Sequence, residues 1–362
     1  MRYTVVCVFI LISLPALAQE KTSNPEFLSL KSYYGFIIPH TSSIRHLTDS
    51  KPYGVEMDYG WVLTKQRDWE RCNCYARAGF SLSHIDFDHP EVLGTATNVM
   101  MFAEPYLNYG SNIWMSIRMG VGPSYVSKVY DQKTNPENLF FSKHLSYIIH
   151  LDFMLNFLLS EHLNGKLFGK YNHISNGGVD HPNKGMNFPT VGVGLDYVLE
   201  SPDFKQRESV PIKQEGIIIS GAVFGAMKNV TQGPSEIKQR TLGYGFLVKG
   251  RRKIAKINAL NTGFEGFWDG EIKEKYNGQR EHRQLSWLAG HDFIFGRFIF
   301  SQYWGTYLYA PAYNKHFFQR YSLSYNFFGN LRAGVNLKAH AEVAQNFNVH
   351  IAYDLTSIVS KK

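Results

Sequence analysis

FNVHIAYDL, residues 347 to 355, decides the fold class. Phe347, Val349, Ile351, Tyr353 and Leu355 alternate with Asn348, His350, Ala352 and Asp354. A period of two puts the first set on one face of an extended strand and the second set on the other. The pattern recurs upstream. Leu331, Ala333, Val335, Leu337 and Ala339 alternate with Arg332, Gly334, Asn336 and Lys338. Tyr321, Leu323, Tyr325 and Phe327 alternate with Ser322, Ser324 and Asn326. In Leu145 to Phe157 the odd positions are apolar or aromatic, and His150, Asp152 and Asn156 stand on the other side.

Such strands suit two designs. A soluble sandwich uses strands of about 5–6 residues, whereas a membrane barrel uses segments of about 10, apolar toward lipid and polar toward the lumen. The segments here are long and recur from Tyr33 to the C-terminus. Tyr, Trp and Phe stand near their ends, as Phe298, Phe300, Tyr303, Trp304, Tyr307 and Tyr309 show in one stretch. Rings at strand ends match the interfacial girdles of membrane barrels. The expected fold is therefore all-β, an antiparallel transmembrane β-barrel of about fourteen to sixteen strands.

The candidate strands lie near 32–38, 53–63, 74–84, 98–108, 113–125, 145–158, 165–175, 187–198, 216–227, 240–250, 256–266, 284–294, 297–309, 319–328, 331–340 and 346–355. Phe328-Gly329-Asn330-Leu331 reads as a tight hairpin. Polar loops are expected at about 128–143, 200–214, 228–238 and 269–283. The linker SPDFKQRESVPIKQ (201–214) is a possible boundary, but the strand pattern is the same on both sides. One barrel over 19–362 is expected, with 201–362 as further strands of the same ring.

Residues 1–18, MRYTVVCVFILISLPALA, carry a basic start, an apolar run and a small-residue end. This is the pattern of a secretory signal peptide cut before Gln19. Cys7 leaves with it, and Cys72 and Cys74 remain in RCNCYA. Read as a strand, that pair shares one face and spans too short a loop to bridge, so the two cysteines are expected to be unpaired and structural. The net charge is +8. In an exported chain this charge suits an anionic membrane surface and gives no reason to expect nucleic acid. No stretch after the leader approaches the about 20 apolar residues of a spanning helix.

KYNHISNGGVDHPNKGMN, residues 170 to 187, interrupts the strand pattern. Lys170 and Asn172 suit a lumen, so Tyr171, His173 and Ser175 face lipid. A His and a Ser aimed at hydrocarbon cost free energy unless they pair. Residues i and i+2 of a strand share a face, so the imidazole reaches the hydroxyl: a general base beside a nucleophile. A porin has no reason to place both groups on its outer wall.

His173-Ile174-Ser175-Asn176-Gly177 resembles the His-x-Ser-Asn signature of outer-membrane lipid esterases. Two families share it: lipid A 3-O-deacylases, also described as acyloxyacyl hydrolases, and outer-membrane phospholipase A. Pro182, Asn183 and Gly185, the strand VGVGLDY (191–197) and DFDHPEVLG (86–94) are more similar to the deacylases. The resemblance covers 168–197 most strongly and fades after 215. It implies a barrel in the outer membrane of a Gram-negative bacterium, acting on the acyl esters of lipid A or lipopolysaccharide. It implies Ser175 as nucleophile, His173 as base, and Asn176 with Asn183 as oxyanion hole. The deacylase pattern expects an acid twelve residues after the serine, and Asn187 stands there, as in phospholipase A. Asn187 is then expected to orient His173 through its side-chain carbonyl. The phospholipase calcium pattern is not evident, with Gly178 and Asn183 at its positions, so no metal or other cofactor is expected. Phospholipase A and a barrel without catalysis are the alternative readings.

If the N-terminus is periplasmic, odd strands run outward, and the seventh carries Ser175 to the outer rim. His84, Asp86, Asp88 and His89 read as an interfacial loop rather than metal ligands. Gly290-His291-Asp292 reads as lumen and girdle, and Lys184 as an exposed loop lysine.

Overall fold

The computed structural model describes residues 24–109, 111–177, 180–209, 216–232, 237–312, 316–340 and 343–358. The signal peptide expected at 1–18 lies outside the described residues. Sixteen strands occur among the described residues, the number at the upper end of the sequence reading. The first eight are β1 (Glu26–Gly35), β2 (Tyr53–Leu63), β3 (Ala76–Asp86), β4 (Thr95–Pro105), β5 (Ile113–Val126), β6 (Leu145–Leu158), β7 (Leu163–Ser175) and β8 (Met186–Val198). The second eight are β9 (Ile217–Gln232), β10 (Ile237–Lys253), β11 (Asn258–Trp268), β12 (Arg283–Phe295), β13 (Phe298–Tyr309), β14 (Phe317–Phe328), β15 (Leu331–His340) and β16 (Val343–Ile358). Two short helices, α1 (Gln66–Cys72) and α2 (Gly270–Lys275), sit in loops. No described helix is long and apolar enough to cross a membrane.

The strands do not form one ring. β1 pairs with β8, and β16 pairs with β9, each antiparallel, which closes two barrels of eight strands. The single-barrel expectation is corrected here. Alternation reports which face of a strand is apolar, not which strand closes the sheet, so eight-plus-eight and sixteen look alike in sequence. The consequence for the interior is large. Eight strands enclose a space that side chains fill, whereas sixteen leave an aqueous channel.

Both lumens are packed with paired charges. In the first barrel the Arg118 guanidinium donates to Asp58 Oδ2 at 2.6 Å and to Glu56 Oε1 at 3.0 Å. Its carbon lies 3.6 Å from the centre of the Phe102 ring. Lys31 pairs with Asp58 at 2.8 Å and also with Glu56, and Lys170 pairs with Glu56 at 2.5 Å. Arg77 and Lys166 share Asp196. In the second barrel Glu265 binds Arg320 and Lys338, and Asp292 binds Lys249. All these groups are buried, as charges out of water must be when paired and hydrogen-bonded. Tyr303 and Tyr307, read from sequence as girdle residues, belong inside instead. Tyr303 shares the inward phase of Ser301 and accepts from Lys249 Nζ at 2.6 Å, and Tyr307 meets His340.

The outer walls carry the apolar half of the pattern. Leu30, Met57, Leu82, Val99, Phe153 and Val193 are each more than half exposed, a surface suited to hydrocarbon. One end of the first barrel is capped by the loops after β1, β3, β5 and β7. Ile37, Leu47, Phe87, Leu93, Phe140 and Phe141 pack there with Phe188 of β8. Burial of Ile37 in this cap explains why β1 ends at Gly35, short of the expected 38. At the other end the linker folds back, and the Phe204 ring lies 4.8 Å from Tyr75 and 3.8 Å from Tyr109. The loop expected at 228–238 is shorter than expected, because β9 and β10 stay paired from Lys228–Thr241 to Gln232–Ile237.

Cys72 and Cys74 form a disulfide, against the sequence expectation. The pair is not on a strand. α1 ends at Cys72, and Asn73 takes a left-handed conformation with φ 53°, which folds Cys74 back to a Cα separation of 5.0 Å. This lies within the bridging range.

Two outcomes follow from this packing. Arg118→Ala leaves Asp58 and Glu56 short of a partner in a dry lumen and should destabilise the first barrel by about 3–5 kcal/mol. Urea titration followed by the heat-dependent gel shift of folded barrels reads this directly, with exposed Arg45→Ala as the unchanged reference. An Arg118→Ala midpoint equal to that of the intact protein contradicts the packing described. Maleimide should add no mass at Cys72 or Cys74 until a reductant is present.

Candidate active site

His173, Ser175 and Asn187 come together on the outer wall of the first barrel. β7 and β8 are hydrogen-bonded neighbours, and His173 lies directly across from Asn187 in their register. Asn187 Oδ1 is 2.6 Å from His173 Nδ1, and His173 Nε2 is 3.0 Å from Ser175 Oγ. An amide oxygen only accepts, so Nδ1 carries the proton and donates to it. That leaves Nε2 with its lone pair toward the serine hydroxyl, the tautomer a general base requires. The spacing arises from strand geometry: i and i+2 share a face of β7, and the third group comes from the facing residue of β8.

Lys170 and Asn172 point inward, as the sequence predicts. Lys170 pairs with Glu56, and the Asn172 amide donates to Thr190 Oγ1 and to the Phe188 carbonyl. Tyr171, on the same wall as His173, is 46 % exposed, while Ser175 is 6 % exposed. The difference is the loop above the serine. Gly185 has φ +68°, and a Cβ there would lie 2.9 Å from His173 Cε1 and 3.2 Å from Ser175 Cβ. Only a glycine lets the loop approach the imidazole so closely. Its role was not read from sequence, although it ends the Pro182-Asn183-x-Gly185 motif.

The two asparagines expected to hold an oxyanion have different surroundings. The Asn176 backbone N–H donates to Asn183 Oδ1 at 3.0 Å. The Asn176 side-chain amide donates to Ser142 Oγ at 2.8 Å and to the Asp180 carbonyl at 3.0 Å. These donors tie the loop together. Asn183 Nδ2 is buried and has no hydrogen-bond partner among the described residues. Since the bond from Asn176 fixes which end of the Asn183 amide is oxygen, the free end is a donor. A buried donor without a partner costs about 1–3 kcal/mol, and such a group at a site beside a nucleophile suits a ligand oxygen.

The loop is held from below by the segment after β5. The Lys184 and Gly185 amides donate to the Leu139 and Phe140 carbonyls, and Lys143 pairs with Asp180 at 2.9 Å. His40 Nε2 lies 3.0 Å from the Lys184 carbonyl oxygen. The other sequence candidates do not assemble. Asp86 accepts from the Asp88 amide and His84 meets Thr97, and no group of three or more potential metal ligands occurs among the described residues. His291 and Asp292 part company: Asp292 is in the lumen with Lys249 and Asn261, and His291 lies against Phe293 at 4.4 Å.

Comparison with known proteins agrees with this geometry. Residues 53–196 match the family model described as lipid A 3-O-deacylase (PagL). Residues 217–357 match the one described as acyloxyacyl hydrolase, C-terminal domain. The first match spans β2 to β8, and the second spans the other barrel. No curated protein matches. Among solved structures, the outer-membrane enzyme PagL is 12% identical, with a TM-score of 0.33 over 46% of this chain and 97% of its own. Neisserial surface protein A is 8% identical, with a TM-score of 0.32 over 48% of this chain and 96% of its own. The two family matches divide the chain where its two barrels divide, and the chain belongs to the lipid A 3-O-deacylase family of outer-membrane ester hydrolases.

Proposed function

We propose that the protein removes an ester-linked acyl chain from lipid A by serine hydrolysis at Ser175. The observation that carries this reading is the hydrogen-bonded row from Asn187 Oδ1 through His173 to Ser175 Oγ, on a wall that faces lipid. Ser175 Oγ attacks the acyl carbonyl while His173 Nε2 takes its proton. The carbonyl oxygen becomes an oxyanion and accepts from Asn183 Nδ2. The ester C–O bond then breaks, and His173 returns the proton to the departing sugar oxygen. Water, deprotonated by His173, hydrolyses the acyl-serine and releases the fatty acid. Asn187 holds the imidazole in the working tautomer but, being neutral, stabilises the imidazolium less than a carboxylate does.

The substrate arrives from the membrane itself. The loops at the Ser175 end, at 36–52 and 127–144, are longer than those at 106–112 and 159–162 at the opposite end. Long loops face outward in such barrels, which supports a position for the serine against the outer leaflet, where lipopolysaccharide resides. Phospholipase A remains the second reading, favoured by the amide rather than a carboxylate at Asn187. The lipid products separate the two.

Mass spectrometry of lipid A from a Gram-negative host producing the protein should show loss of one fatty acid, and the Ser175→Ala host should not. Lysophospholipid with unchanged lipid A would replace the first reading by the second. With purified protein, Asn187→Ala should lower kcat by about 10²–10⁴-fold, because the ring loses its orientation. Asn187→Asp should retain or raise the rate. Asn183→Ala should cost about 10²–10³-fold in kcat with little change in KM. An Asn183→Ala enzyme of full activity would remove that residue from the oxyanion hole.

A further inference from the structure

The wall that carries Ser175 meets the second barrel. Phe347, at the start of β16, stacks on Tyr147 of β6 with ring centroids 5.4 Å apart and planes at 15°. Tyr147 is the residue directly across from Ser175 in the β6–β7 register. Gly177, two residues past the serine, has φ +69°, and a Cβ there would come within 2.9 Å of Phe347 Cβ and 3.2 Å of its Cγ. Phe347 therefore touches the strand neighbour of the nucleophile and the turn that follows it. The two barrels stand side by side in the same direction. At the opposite end from Phe347, the turn at Gly296 between β12 and β13 lies against Arg71 of α1, with a Cβ position 3.4 Å from its side chain. Farther along the same outer walls stand Tyr171 of β7, 46 % exposed, and Tyr321 of β14, 38 % exposed.

We propose that the second barrel supplies one wall of the acyl-binding cleft, and that Phe347 is a specificity-determining residue for the fatty acyl chain of the ester. The chain of the substrate lies along the seam between the barrels, with its carbonyl at Ser175 and its first methylenes against Phe347 and Tyr147. Burying methylenes along the edge of this stacked pair, in the seam between two walls, rewards length, whereas a wall facing bulk lipid rewards it little, since lipid tails are as apolar as the wall. This assigns a use to the half of the chain that carries no residue of the hydrolytic row. The proposal rests on Ser175 as the nucleophile.

The test uses the full-length protein in micelles and alkyl fluorophosphonates with hexyl and dodecyl chains. Serine Oγ forms a bond to phosphorus, fluoride leaves and the proton passes to His173, so intact mass reports the labelling rate without turnover. The intact protein should label faster with dodecyl than with hexyl, and Phe347→Ala should shrink that ratio by about tenfold. Phe347→Trp narrows the seam and should shift the preference toward hexyl. Phe264→Ala, on the exposed face of β11 and three strands from β16, should keep the original ratio. The gel shift of folded barrels shows which variants are native, and either Phe347 variant suffices. An unchanged ratio in a folded Phe347 variant overturns the proposal and leaves the nucleophile standing. Labelling that persists in Ser175→Ala overturns both, because the label then reports another residue.

Discussion

Everything in this molecule follows from the need to pair backbone amides and carbonyls where no water is available. In hydrocarbon an open strand edge is intolerable, so each sheet must close on itself. Here closure happens twice, β8 onto β1 and β16 onto β9. Small rings then force a second condition. Their interiors are filled by side chains, so the charges on the inward half of each alternating strand must be paired. Arg118 between Asp58 and Glu56, and Glu265 between Arg320 and Lys338, are the result. They make each barrel a stiff peg with chemistry available only on its outside and at its rims.

That stiffness serves the site. His173 and Asn187 are held across one register pair of a closed sheet, and Ser175 is two residues along the same strand. The row needs no hinge to assemble, which limits the reorganisation needed in the transition state. The loop residues around the serine add what a strand cannot provide, a buried amide donor at Asn183 without a partner among the described residues. The loop is tied by Asn176 to Ser142 and Asp180, and by the Lys184 amide to Leu139. Its close passage over the imidazole requires Gly185. On this lipid-facing wall Asn187, His173 and Ser175 satisfy one another, and Asn183 Nδ2 alone of the named groups is left without a partner among the described residues.

Much of this was legible in the sequence, because alternation and short motifs are local. Lys170 and Asn172 against His173 and Ser175 told which way β7 faces, and the structure agrees. Asn187 was legible only through the resemblance, as the residue twelve after Ser175, and the β7–β8 register sets it across from His173. The failures are all cases where the deciding partner is remote or the local conformation breaks phase. Nothing in the β8 or β9 sequence says that one ring ends at β8, which closes onto β1, and that a second begins at β9. Cys72 and Cys74 looked like strand neighbours until the left-handed Asn73 turned the chain. Phe347 shows only its periodicity in the sequence, and it lies against Tyr147, the strand neighbour of Ser175, because of a packing between barrels that no pattern reveals.

The most direct test of the account is to catch the covalent intermediate. The purified protein is mixed with lipid A, quenched in acid within a turnover and digested, and the peptides are weighed. A fatty acyl group on the peptide that contains Ser175, absent from His173→Ala, is the predicted result. Fatty acid released with no acylated peptide at any quench time, or an acyl group on a different residue, would contradict it.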